Sequence, residues 1–237
     1  MTKETKLVPA EELAAKASIP FPNESPEYRK AREALLVEEI KLRRQIWRVA
    51  ELRRTLPPGS EPKPYKFIDE AGKQVTLNDM FGPHDTLVTY FWMFGPERER
   101  PCPMCTSFLG SLDIPARDIE QRVSLAVLGR SPVSRQLAFA RERGWRNLRF
   151  YQLATDEYAR DYRGLLDDGS ELAILAVWRR HEGKVNMFWA AEGMGTQDPG
   201  QDPHLAPELA PLWNVLDLTP GGRGTDWYPK LEYPDLP

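Results

Sequence analysis

Residues 87–113 read Leu87-Val-Thr-Tyr-Phe-Trp-Met-Phe94, then Gly95-Pro96-Glu97-Arg98-Glu99-Arg100, then Pro101-Cys102-Pro103-Met104-Cys105-Thr-Ser-Phe108-Leu109-Gly-Ser-Leu112-Asp113. The opening run is apolar, β-branched and aromatic, too short for a membrane span and the right length for a buried strand. Gly95-Pro96 ends it, a charged loop follows, and Phe108, Leu109 and Leu112 then fall on one helical face. A strand, a loop and a Cys-x-x-Cys at a helix start form an arrangement in which two cysteines carry out redox chemistry.

The physical reason is the helix end. Its free N–H groups and partial positive charge favour a thiolate over a thiol, so a sulfur placed there is more acidic than the ordinary value of about 8.5. Pro103 fits the first turn, where a missing N–H costs nothing. Cys105 follows roughly one turn later on the same side, so the two sulfurs can close a small ring. Cys102 is thus the candidate nucleophile and Cys105 the resolving thiol. Arg98 and Arg100 add positive charge, which Glu97 and Glu99 largely cancel.

Two other readings stand beside this one. Structural zinc wants four ligands, but the chain has no second cysteine pair, and His84, His181 and His204 are isolated. Two buried, inert cysteines are the other reading, since Cys serves well as a small core residue. These are the only cysteines, so no disulfide framework claims them.

Composition sets the frame. A chain of 237 residues can bury a full core, and 41% hydrophobic with 28% charged residues describes an ordinary globular protein. A formal charge of −3 gives no reason to expect nucleic acid or an anionic membrane as partner. The first twenty residues lack the apolar core of a signal peptide, and no run reaches transmembrane length. The expected compartment is the cytoplasm, where a lone Cys-x-x-Cys is more often catalytic than structural.

Working outward, Ser25-Pro26-Glu27 opens an amphipathic helix to about Leu56, with Leu35, Leu36, Ile40, Ile46, Trp47, Val49 and Ala50 as its apolar stripe. Its arginines are interspersed with glutamates, which argues for a solvated face; the stripe packs either on its own domain or on a second copy of the chain, and the reading preferred is a homodimer contact. Leu56-Pro-Pro-Gly-Ser-Glu-Pro is a linker. The division expected is an N-terminal helical extension over 1–62, a main domain over 63–217 and a Pro/Gly-rich tail over 218–237. Within the main domain, a hairpin at 65–77 precedes the central strand. A second buried strand lies at 123–129, and a helix from Arg135 is capped by Gly144. A strand at 148–153, a short helix from Glu157, a hairpin at 173–191 and a last helix from Pro207 follow. Trp178, Phe188 and Trp189 are read as core, or as an aromatic wall near the thiols. The carboxylate pairs Asp156-Glu157 and Asp167-Asp168 are read as solvated. Gly193-Met-Gly195 lacks the setting of a phosphate loop.

Strands alternating with helices and closed by a hairpin describe an α/β sheet covered on both faces. With Met93-Phe-Gly-Pro96, Cys102-x-x-Cys105 followed by Phe108, the leading amphipathic helix and Leu216-Asp-Leu-Thr-Pro-Gly-Gly-Arg223, the chain from about 30 to 225 resembles a bacterial thioredoxin-like family of unknown function. Members of that family are often labelled predicted dithiol-disulfide isomerases. The resemblance implies a thioredoxin-like fold, a central mixed sheet flanked by helices, and a redox role for Cys102 and Cys105. No cofactor or metal is called for; the partner is a disulfide-containing protein or a small thiol or disulfide. In one respect the chain departs from thioredoxin-like proteins, which carry a cis-proline before the strand facing the cysteines. Here that strand starts near Glu171-Leu-Ala-Ile174, and no proline stands between Pro132 and Pro199. Peroxiredoxins also lack it, and by that analogy Cys105 would be the peroxide-reactive sulfur.

Overall fold

In the computed structural model the apolar run is strand β3 (Thr86–Trp92), and it sits near the middle of a seven-stranded sheet. Residues 7–17, 19–191 and 208–234 are described; His204, Pro207 and the Gly193–Gly195 stretch lie outside them. Two compact units divide the chain, Met1–Leu56 and Pro57–Pro237.

In the first unit, α1 (Ala10–Ala17) packs on α2 (Pro26–Arg54). The Ser25 hydroxyl accepts the Tyr28 N–H at 3.1 Å and caps α2, as the Ser-Pro-Glu start predicts. The expected single stripe is split. Leu36, Ile40, Val49 and Ala50 are half-buried, while Leu35, Ile46 and Trp47 are exposed. Neighbouring residues on a helix point about 100° apart, so a stripe built on the pairs 35/36 and 46/47 is too broad for one contact.

In the second unit the sheet order is β2-β1-β5-β4-β3-β6-β7. Strands β1 (Lys66–Ile68) and β2 (Gln74–Thr76) form an antiparallel hairpin joined to β5 (Phe150–Leu153). Strand β4 (Ser124–Gly129) runs parallel to both β3 and β5. Strand β6 (Ile174–His181) runs antiparallel to β3, and β7 (Lys184–Ala190) completes the sheet antiparallel to β6. Helices α3 (Pro103–Asp113), α4 (Ala116–Ile119), α5 (Val133–Glu142), α6 (Glu157–Asp161) and α7 (Pro211–Asp217) lie in the connections and after the last strand. The order β4-β3-β6-β7, with the first pair parallel, the rest antiparallel and α3 crossing over from β3 to β4, is a thioredoxin-like fold.

Strand β4 is buried at every position and β3 at most, which is why both read as near-continuous apolar runs. Side chains alternate between faces along a strand. Leu87 and Phe91 join Phe67, Leu128, Tyr158 and Trp178 on one face; Tyr90 and Trp92 join Leu109, Val127, Phe139 and Phe150 on the other. Cys105 belongs to the second face, so Trp178, fully buried on the first, is core and no wall beside the thiols. Part of the expected tail is packed. Leu231 packs against the cysteine-bearing cluster, and its carbonyl accepts Arg143 Nη1–H at 2.9 Å.

Candidate active site

Cys102 is the N-cap residue of α3, with φ −59° and ψ 126°, and Pro103 begins the helix. Two backbone bonds fix it: its N–H donates to the Met93 carbonyl at 3.0 Å, and its carbonyl accepts the Thr106 N–H at 3.0 Å. The loop 94–101 is therefore pinched shut at its base, and the sulfur sits where β3 ends and α3 begins. Cys102 makes no side-chain cap hydrogen bond; its sulfur lies in the field of the first-turn amides. Both cysteines are free thiols.

One turn separates two different environments. Cys102 is half-buried, and its thiol is lowered to about 6. The hydrogen bond from the Cys105 thiol is the main cause. The amides of Cys105 and Met104 and the charge of Arg98 help, while burial opposes the shift. Cys105 is 2% exposed, and the hydrogen bond it gives to Cys102 together with burial pushes its thiol well up. Tyr90 is the third member. It reaches Cys105 from β3, is itself raised chiefly by burial, and its hydroxyl works to lower Cys105. Its ring packs 4.8 Å from the Phe108 ring, which fixes it from the helix side.

The charged loop is tied down by buried ions. Glu171, just ahead of β6, accepts the Gly95 N–H at 3.0 Å and Arg98 Nε–H at 2.9 Å on one oxygen, and Arg130 Nη1–H at 3.3 Å on the other. Arg130 in turn grips Asp156 with two bonds, at 2.8 and 3.1 Å, and reaches Glu97 at 3.1 Å. Arg135 donates to the carbonyls of Gly95, Arg98 and Glu99 and stacks over the Phe94 ring, 4.4 Å from its centre. The expected cancellation of Arg98 and Arg100 by Glu97 and Glu99 is accordingly redistributed. Glu97 pairs with Arg130, Arg100 pairs with Glu142 at 2.7 Å and Glu232 at 3.4 Å, and Arg98 pairs with Glu171 while adding a small lowering influence on Cys102. Asp156, expected to be solvated, belongs to this network.

Cys102 and Cys105 are thus brought together with Tyr90, and Glu171 holds the Arg98 side chain of the loop that leads to them. Sequence reading missed Tyr90, although counting by two from Trp92 puts it on the α3 face. It also missed Glu171, whose partners lie more than forty residues away and leave no local signal. His84 Nε2 lies 2.9 Å from the Glu120 carbonyl, away from the thiols, and His181 is exposed. Among the described residues no group of three or more His, Cys, Asp or Glu is arranged to hold a metal ion, and no helix is long and apolar enough to cross a membrane.

The family model described as a bacterial protein of unknown function (DUF899) matches residues 19–233. The chain belongs to this family. In this chain the stretch Leu216–Arg223, which the sequence singles out, makes structural contacts. The buried Arg223 bonds Asp217 at 2.9 Å and Glu208 at 2.7 Å and lies over the Trp213 ring, so it fastens α7 and takes no part in the thiol site. No curated protein matches this DUF899 chain. Among solved structures it is similar to PrxQ from Xylella fastidiosa, with 11% identity and a TM-score of 0.45 over 57% of this chain and 84% of that one. Peroxidoxin BcpB from Mycobacterium tuberculosis gives 20% and 0.43 over 55% and 82%. BsSco, a member of the Sco family of cytochrome c oxidase assembly proteins, gives 18% and 0.42 over 57% and 86%.

Proposed function

We propose that the protein is a thiol–disulfide oxidoreductase in which Cys102 is the nucleophile and Cys105 the resolving thiol. The observation that carries this reading is the asymmetry of the pair: an acidified, half-buried sulfur at a helix start, one turn from a buried neutral thiol. A dithiol oxidoreductase needs that division of labour, since the thiolate is the attacking species and the second thiol must wait.

In the first step the Cys102 thiolate attacks one sulfur of a substrate disulfide. A Cys102–substrate S–S bond forms, the substrate S–S bond breaks, and one thiolate leaves. Bonding Cys102 to substrate removes the negative charge beside Cys105, so the main brake on Cys105 ionisation is released. Cys105 then loses its proton to the departing thiolate or to water, the Tyr90 hydroxyl donating to the sulfur as charge develops. Its attack on Cys102 forms the Cys102–Cys105 bond and expels the second substrate thiolate. Two electrons pass to the substrate, and the protein is left oxidised. A protein disulfide or a small disulfide serves as substrate, and a cytoplasmic setting belongs to the same proposal.

A peroxide-reactive Cys105 is not favoured, because a peroxide would have to reach a sulfur that is 2% exposed and held neutral. Trapping tests the choice. Cys105→Ser incubated with a mixed-disulfide probe accumulates a covalent adduct on Cys102, whereas Cys102→Ser accumulates none. An adduct that forms on Cys105 alone overturns the assignment.

A further inference from the structure

Among the described residues three charged residues are buried as a whole, Asp113, Glu171 and Arg223, and the side chains of Arg130 and Glu24 are nearly as enclosed. Asp113 is occupied by backbone amides and Arg223 by its own ion pairs. Glu171 is different, because two of its partners, the Gly95 amide and Arg98, lie on the loop that leads into Cys102.

The Glu171 side chain is 4% exposed. A carboxylate so deeply buried costs several kcal/mol unless it is paired and hydrogen-bonded. Here the Gly95 amide, Arg98 and Arg130 supply that compensation. The fit is close: a Cβ added at Gly95 would stand 2.5 Å from Glu171 Oε1, so only glycine lets the carboxylate reach the loop backbone. Arg98 is held through Nε. Its guanidinium is thereby fixed in direction, and its charge is the smallest of the influences that lower Cys102, behind the Cys105 thiol and the first-turn amides. Glu171 stands three residues ahead of β6, and Ala173 beyond it packs in the same cluster as Cys102.

We propose that Glu171 is a positioning residue for Cys102, anchoring at Gly95 the loop that leads into Cys102 and fixing the Arg98 guanidinium on that loop. The proposal rests on Cys102 being the nucleophile. The charged and titratable groups around it are Cys105 on α3, Tyr90 on β3 and Arg98 on the loop, with Glu171, Arg130, Asp156 and Glu97 behind Arg98.

The test is the rate at which the neutral alkylating agent iodoacetamide modifies Cys102, followed by peptide mass across pH, in the full chain and in Arg98→Gln, Arg98→Lys, Glu171→Gln and the Arg98→Gln/Glu171→Gln double variant. The wild-type rate reaches half its maximum near 6. Glu171→Gln and Arg98→Gln each move that midpoint up, and the rate at the wild-type midpoint falls about threefold as the thiolate fraction drops. Losing the Glu171 charge would by itself ease thiolate formation and move the midpoint down. An upward movement is therefore the signature of a released arginine. In the double variant the midpoint rises no further than in Arg98→Gln alone.

Arg98→Lys keeps the charge but loses the Nε–H bond to Glu171, and its midpoint also rises; this variant stands even if Glu171→Gln fails to fold. A Glu171→Gln midpoint that stays or falls, single shifts that add in the double variant, or an unmoved Arg98→Lys midpoint overturns the proposal. Failure of the oxidoreductase reading looks different: the wild type would then form no Cys102–Cys105 disulfide, whatever the alkylation midpoints.

Discussion

Helix α2 runs for 29 residues and buries none of them; α3 runs for 11 and buries Cys105, Thr106, Leu109 and Asp113. By intrinsic criteria α2 is the better helix, with a serine cap, a proline start, a glutamate in the first turn and arginines in the last. Helix α3 has Gly110 in its interior and no side-chain cap. Its surroundings hold it instead. The Cys102 amide is bound to Met93 at one end, and the Asp113 carboxylate accepts the amides of Arg146, Asn147 and Leu148 at 3.0, 2.8 and 3.2 Å at the other. Gly110 faces the Trp145 indole, where an added Cβ would make an ordinary van der Waals contact with Nε1 at 3.4 Å. Propensity makes the long helix; tertiary contacts make the short one and set the sulfur at its positive end.

The sharpest way to break the comparison is at the cap itself. Cys102→Ser reduces disulfide exchange to the uncatalysed background in a turnover assay, and removes the thiolate absorbance that titrates near 6. Linkage gives the sign for stability. The folded reduced protein holds this thiol below its unfolded value of about 8.5, so thiolate stabilisation is fully present above that value. It is lost as pH falls through about 6. The stability advantage of the reduced wild type over Cys102→Ser therefore shrinks on acidification across that window, as urea unfolding at several pH values would record. An advantage that grows instead contradicts the acidified thiol.

At the other end of α3, Asp113→Ala leaves three backbone donors without their acceptor and lowers stability by about 3 kcal/mol in urea unfolding. A loss below about 0.5 kcal/mol would mean that this end is not what holds the helix. Tyr90→Phe is a smaller change. Without the hydroxyl the resolving step slows about threefold, the scale of one modest hydrogen bond, and the mixed disulfide on Cys102 lives longer in a quench experiment. Trp47→Ala on the exposed side of α2 changes unfolding free energy by no more than about 0.5 kcal/mol and leaves the thiol titration where it was.

Much of this architecture can be read from the chain. Alternation and apolar runs mark β3 and β4, Ser25-Pro26 marks the start of α2, and Pro101-Cys102-Pro103 marks the start of α3, because each signal is local. The stripe on α2 reads less well, since a helix can present more apolar surface than its neighbours cover. The electrostatic half of the site is hidden for a different reason. Glu171 becomes meaningful only when β6 lies antiparallel to β3, with Phe91 opposite Ile174. Arg130 and Asp156 likewise meet across the ends of β4 and β5. Tyr90 lies between these cases: its face follows from the strand period, but its partner follows only from where α3 packs.

The most direct measurement of the central claim is a redox titration of the full chain in dithiol/disulfide buffers, with free thiols trapped and the products read by mass. The account predicts one reversible two-electron transition, closing Cys102 to Cys105, within the span of about −270 to −120 mV covered by known oxidoreductases. A pair that never closes, or that closes irreversibly, would contradict it.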